Sequence, residues 1–95
     1  MKTSELTGAA LDWAVAKCEA LTYPQRLAKY STSWAQGGPI IEREGISITQ
    51  FGGTWKANTV YQSAVIGPTP LIAAMRCYVA SKLGDEVDVP KELAA

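Results

Sequence analysis

The stretch from Gly67 to Gly84 writes a helix with both of its ends marked. Thr69 offers a side-chain oxygen to the orphan amides of a first turn, and Pro70 suits the first helical position, where no donor is needed. Gly84 marks a left-handed stop, and Lys82 in the last turn complements the negative end of the helix dipole. The large apolar face holds Leu71, Ile72, Met75, Tyr78, Val79 and Leu83. The remaining surface is mostly small (Ala73, Ala74, Cys77, Ala80 and Ser81), with only Arg76 and Lys82 charged. A helix of this kind expects cover on more than one side, by tight packing on another helix of the chain or at a subunit interface. It carries no catalytic set.

Upstream, the hydrophobic period switches to two. Ile46-Ser47-Ile48-Thr49-Gln50-Phe51 and Thr54-Trp55-Lys56-Ala57 flank Gly52-Gly53, the composition of a two-residue hairpin turn. A tight turn there sets Gln50 opposite Trp55 and Ile48 opposite Ala57. Ile46, Ile48, Trp55 and Ala57 then share one face, as a half-buried sheet requires. Residues 58–68 read as a loop or as a continuation of the second strand. Val87 and Val89 alternate with Glu86 and Asp88 before Pro90, the pattern of a short, guarded edge strand.

A first helix is expected from Thr7 as N-cap to about Ala20. Leu11, Ala14, Val15, Cys18 and Leu21 lie on one face, Asp12 and Glu19 lie opposite, and Trp13 lies on a second side with Ala9, Ala16 and Ala20. Residues 22–33 read as a loop in which Tyr23-Pro24 breaks the helix and Tyr30-Ser31-Thr32-Ser33 forms a cap cluster. A second helix follows from Trp34 to Glu44. Gly37-Gly38-Pro39 is expected to bend or restart it, because Pro39 removes a donor and clashes one turn back.

Ninety-five residues, 47% of them hydrophobic, make one globular domain over residues 1–95 with a thin core, for which oligomerisation is a ready way to bury more surface. The charge balance is uneven: residues 1–84 sum to +3, and the acidic tail 85–95 sums to −3. No basic stripe tracks a phosphate backbone, so nucleic acid is not expected as a partner. No apolar run reaches the ~20 residues of a membrane span, and Met1-Lys2-Thr3-Ser4-Glu5 opens no secretory signal. The expected compartment is cytoplasmic, with Cys18 and Cys77 reduced.

Leu11-Asp12-Trp13-Ala14-Val15-Ala16-Lys17, Trp34-Ala35-Gln36-Gly37-Gly38-Pro39-Ile40-Ile41 and Gly67-Pro68-Thr69-Pro70-Leu71-Ile72-Ala73-Ala74-Met75-Arg76 together resemble the NinX-type family of small bacteriophage proteins. The three blocks stand in order and cover nearly the whole chain. Cys18-Glu19-Ala20 departs from the small residue and glycine that the family favours there. The pattern is also similar to phage α/β/α-sandwich domains, in which helices cover a small antiparallel sheet. The resemblance implies a phage origin and expression in the host bacterial cytoplasm. It supplies no reaction, cofactor or site residue.

The chain has no histidine, which removes Ser–His and Cys–His pairs, most zinc sites and the usual base near neutral pH. Glu42 and Glu44 point apart on a helix, and Asp85, Glu86 and Asp88 read as a solvated tail before they read as a cation site. No glycine cluster has phosphate-loop spacing. No catalytic residue, metal or cofactor is therefore expected. Anion capture is: the helix start at Thr69 offers amides and a positive dipole end, Arg43, Lys56 or Arg76 the countercharge, and Trp34 and Tyr61 stacking surfaces. Gly37 and Gly38 offer close approach to another helix or to a ligand.

These readings commit to an α+β fold, a small antiparallel β-hairpin or sheet covered by two main helices plus a short middle helix. The expected molecule is a non-enzymatic, homo-oligomeric phage accessory protein. Its candidate ligand residues are Trp34, Gly37, Gly38, Arg43, Lys56, Tyr61, Thr69 and Arg76. Its partner is an anionic nucleotide-like small molecule sequestered as a host defence signal, or alternatively a host or phage protein for which it acts as an adaptor.

Overall fold

The computed structural model describes residues 1–19 and 28–93. Three helices, α1 (Gly8–Cys18), α2 (Trp34–Glu44) and α3 (Pro70–Leu83), accompany three strands, β1 (Ser47–Phe51), β2 (Thr54–Asn58) and β3 (Val65–Gly67). The strands form an antiparallel sheet in the order β1-β2-β3, and α3 packs against all three of them as well as against α1 and α2. The fold is α+β, a small sheet under helices.

The ends of α3 follow their local chemistry. Thr69 Oγ1 accepts the Ile72 amide at 3.1 Å, with Pro70 at the first helical position. Eight of the fourteen residues are buried, from Leu71 to Val79, so the helix is covered on several sides. Ala73, Ala74 and Cys77 have no exposed surface, so that part of the small-residue face packs within the chain, while Ala80 is half-buried and Ser81 exposed. Gly84 departs from expectation: φ is +85°, but ψ is −163°, extended rather than left-handed helical. The chain leaves there to meet its own beginning. Thr3 Oγ1 donates to the Gly84 carbonyl at 2.6 Å, the Thr3 amide to Asp85 at 2.8 Å and the Val87 amide to Met1 at 2.9 Å. The anticipated strand at Val87 and Val89 is accordingly a single bridge, Lys2 to Glu86, and Val87 is buried.

The hairpin takes the expected register, with Gln50 opposite Trp55 and Ile48 opposite Ala57. Gly52 alone has a positive φ, +62°, the arrangement of a II′ turn. Ile46 and Ala57 are buried beneath α3, with Ile48 and Trp55 half-buried beside them. β3 corrects the reading of residues 58–68: after a turn, Val65–Gly67 pairs with β2 as a third strand. Gly67 lies opposite Trp55, where α3 crosses the sheet. A Cβ at Gly67 would stand 2.6 Å from the Ala73 nitrogen, so only glycine admits this crossing.

α2 runs as one helix through Gly37-Gly38-Pro39 and does not restart there. Ala35, whose carbonyl loses its donor to Pro39, is exposed, which lowers the cost of the missing bond. The helix stops at Gly45, left-handed at φ +66°, with the Ile46 amide on the Ile41 carbonyl at 3.1 Å. α1 starts after Thr7 as read, although Thr7 makes no side-chain cap. Asp12, expected toward solvent, is only 8% exposed, and its Oδ1 accepts the Ser31 amide at 2.8 Å. That backbone bond compensates the buried carboxylate. The expected contacts of Ala20, Leu21 and Tyr23-Pro24 lie outside the described residues.

Candidate functional site

Arg76 projects from the middle of α3 and is 8% exposed. Its Nε donates to the Leu6 carbonyl at 2.8 Å and its Nη1 to the Ile66 carbonyl at 2.9 Å, joining the N-terminal turn, β3 and α3. Both acceptors are neutral. Among the described residues no carboxylate lies within ion-pair distance of this guanidinium, and Nη2 has no protein acceptor, yet it is not sealed from solvent. Burial pushes the Arg76 pKa down, against a weaker upward pull from Glu5. Buried charges are ordinarily paired, so a guanidinium held by carbonyls alone leaves a charge for something else to meet. It lines a cleft of about 620 Å³, whose other walls come from residues 2–4, 62–66 and 85–86. That volume falls within the range of small-molecule sites.

Thr69 and Arg76 do not share a site. Thr69 lines a second, smaller hollow of about 270 Å³ with Trp34, Ser31 and Leu71. Trp34 is 54% exposed there and offers an open aromatic face beside the start of α3. Gly37 and Gly38, paired in the sequence reading, part company. A Cβ on Gly37 would meet the Tyr30 carbonyl oxygen at 2.6 Å and Leu71 Cδ1 at 2.7 Å, whereas one on Gly38 would meet nothing within 4 Å. Gly37 serves close packing. Gly38→Ala is therefore expected to stabilise the protein by about 0.5–1 kcal/mol through helix propensity, and Gly37→Ala to destabilise it by about 1–3 kcal/mol through overpacking. Urea midpoints of the two variants check this difference in sign.

Lys56 and Tyr61 border a third depression, of about 400 Å³, on the outer side of the β2–β3 connection. Tyr61 is 96% and Val60 92% exposed. Lys56 sits with its Nζ 5.4 Å from the centre of the Phe51 ring, on the sheet face away from α3.

Arg43 is committed elsewhere. Its Nη1 and Nη2 grip the Glu19 carboxylate at 3.1 and 2.6 Å, its Nε meets Glu44 at 2.9 Å, and Tyr78 donates its hydroxyl to Glu19 at 2.5 Å. The group fastens the end of α1 to α2 and α3. Hydrogen bonding from Arg43, with help from Tyr78, holds the Glu19 carboxyl below its usual range, while burial and Glu19 push the Tyr78 hydroxyl up. A folded-state carboxylate pKa below the unfolded value contributes stability that is present above the ordinary carboxylate pKa and is lost as the pH falls through the folded one. Glu19→Gln should thus cost about 1 kcal/mol or less at pH 7, given a half-exposed Arg43. The difference from wild type should shrink progressively as the pH falls below the ordinary carboxylate range, as read by urea midpoints across that range.

The sequence reading missed most of the Arg76 cleft: Lys2, Ser4, Gln62, Ser63, Asp85 and Glu86 line it. No periodicity or motif joins residues 2, 63 and 85; the signal available was the odd charge at position 76 inside an apolar helix. Cys18 and Cys77 are both free, and burial raises each thiol pKa to about 11. Among the described residues no group of His, Cys, Asp and Glu is placed to hold a metal ion, and no helix is long and apolar enough to cross a membrane.

Fold and clefts together define a small helix-covered α+β domain whose cleft of about 620 Å³ has a buried cation in its wall. The family model described as Bacteriophage P22, NinX matches residues 25–82, more than half of the chain, spanning α2, the whole sheet and nearly all of α3. The chain belongs to that family, which is consistent with a phage accessory protein. No curated protein matches it.

Proposed function

We propose that this protein acts without catalysis in the host bacterial cytoplasm by holding an anionic, nucleotide-sized molecule in the Arg76 cleft. In its sharpest form it is an oligomeric sponge that withdraws a nucleotide-derived defence signal. The observation that carries this reading is the Arg76 guanidinium, buried, bonded among the described residues only to neutral carbonyls and bordering a cavity of about 620 Å³. An anion at that position offsets the desolvation of the charge. The absence of histidine supports holding over transforming.

Thermal melts with cyclic nucleotides and ADP-ribose derivatives test it. Ligand at a hundred times its Kd stabilises a fold by about 2.7 kcal/mol, roughly 10–20 °C for a domain of this size. Arg76→Lys should abolish most of that gain, and the ligand should be recovered intact. No shift above about one degree with any anionic ligand at millimolar concentration removes the sponge reading. Conversion of the ligand removes the non-catalytic one. Light scattering reads the oligomer.

The adaptor reading rests on different residues, the exposed Trp34, Val60 and Tyr61. It predicts one stoichiometric host or phage partner in infected cells, lost on Trp34→Ala or Tyr61→Ala and unaffected by Arg76→Lys.

A further inference from the structure

The charge pattern of the Arg76 cleft narrows what it can hold. Of the guanidinium, Nε and Nη1 already donate to Leu6 and Ile66, so one edge, at Nη2, is left to face a ligand. Asp85 and Glu86 line the same cleft, are exposed, and have no ion-pair partner among the described residues. Among the described residues Lys2 is the one other cation in the lining, and its backbone is bridged to Glu86. The cavity thus presents one half-spent buried cation and one exposed cation against two open carboxylates. A polyphosphate brings more negative charge than this wall neutralises, and the carboxylates repel the excess. Carboxylates do accept hydrogen bonds from hydroxyl groups, including those of a ribose.

Resting on the reading of the cleft as a ligand site, we infer that it selects a ribonucleoside phosphodiester monoanion, with the single phosphate charge on Arg76 and a ribose hydroxyl on Asp85 or Glu86, and that it rejects polyphosphates. Selectivity is a difference of affinities, and here the repulsive element is the acidic pair. The neutral polar side chains of Ser4, Gln62 and Ser63 in the same lining suit the uncharged remainder of such a ligand.

Calorimetric titration with adenosine 3′,5′-cyclic monophosphate, its 2′-deoxy analogue and ATP tests the assignment. The wild type should bind the cyclic monoanion about tenfold or more tighter than ATP, and the 2′-deoxy analogue several-fold more weakly than its parent. Asp85→Asn combined with Glu86→Gln should close the gap by tightening ATP while erasing the preference for the 2′-hydroxyl. Both residues are exposed, and their backbone pairing is untouched by the change. Equal affinity for ATP in the wild type, or an unchanged ratio in the double variant, overturns the selectivity and leaves the ligand reading standing. Binding of none of the three overturns both.

Discussion

Gly67→Ala should lower the melting temperature by roughly 10–20 °C, the equivalent of about 2–3 kcal/mol of overpacking in a domain of this length. The added Cβ would stand 2.6 Å from the Ala73 nitrogen and 2.8 Å from its Cα. Those are backbone atoms of α3, so no rotamer change relieves the contact. Either α3 or β3 must shift, and α3 carries Met75, Cys77, Tyr78 and Val79, all at or near zero exposure. Replacing a strand glycine ordinarily gains stability, by roughly 0.5–1 kcal/mol, so the sign of the effect is itself informative. Gly53→Ala is the control, since nothing lies within 4 Å of a Cβ there, and it should melt within about two degrees of wild type. Thermal and urea unfolding of both variants check the pair. A Gly67→Ala protein as stable as its parent would mean that α3 does not cross β3 where described.

Arg76→Met is expected to be the most damaging change at the cleft, because two effects oppose each other there and the larger is loss. Methionine keeps the unbranched stem and relieves the desolvation of a buried charge. It also leaves the Leu6 and Ile66 carbonyls without donors, and hydrogen bonds from a charged group contribute about 1.5–3 kcal/mol each. The Leu6 bond is buried, so water does not replace it; the Ile66 bond is only partly so. A net cost of about 2–3 kcal/mol follows, read as a urea midpoint shift with unchanged m-value. Arg76→Lys retains the charge and one donor direction, and should fall between the two. If Arg76→Met proved neutral, the guanidinium would be a surface group and the cleft would lose its cation.

The elements that were legible in the sequence are those whose signals are local. Thr69-Pro70 opens α3 and Gly52-Gly53 turns the hairpin because capping and turn chemistry act over a few residues. Gly45, directly after Glu44, carries an equally local stop signal for α2. β3 was not legible as a strand: three residues have no period of their own, and Val65–Gly67 is a strand through its pairing with β2. Asp12 sits off the apolar face of α1 by helical spacing, yet a segment nineteen residues onward folds over it and donates from Ser31. The candidate ligand residues lie apart for the same reason on a larger scale. Arg76 bonds to Leu6, seventy residues away, and the cleft joins residues 2–4 to 85–86. Trp34 and Thr69 do come together, but without Arg43, Lys56 or Arg76.

Because α3 touches every strand and both other helices, it cannot be exposed piecemeal. Its amides should exchange with deuterium only through global unfolding, while those of residues 59–64, outside any strand or helix, exchange through small excursions that cost far less. The Arg76 cavity is built across that divide, one wall fixed to the slowest-exchanging segment of the molecule and the facing one free to breathe. A guest would therefore announce itself as slowed exchange on the second side alone.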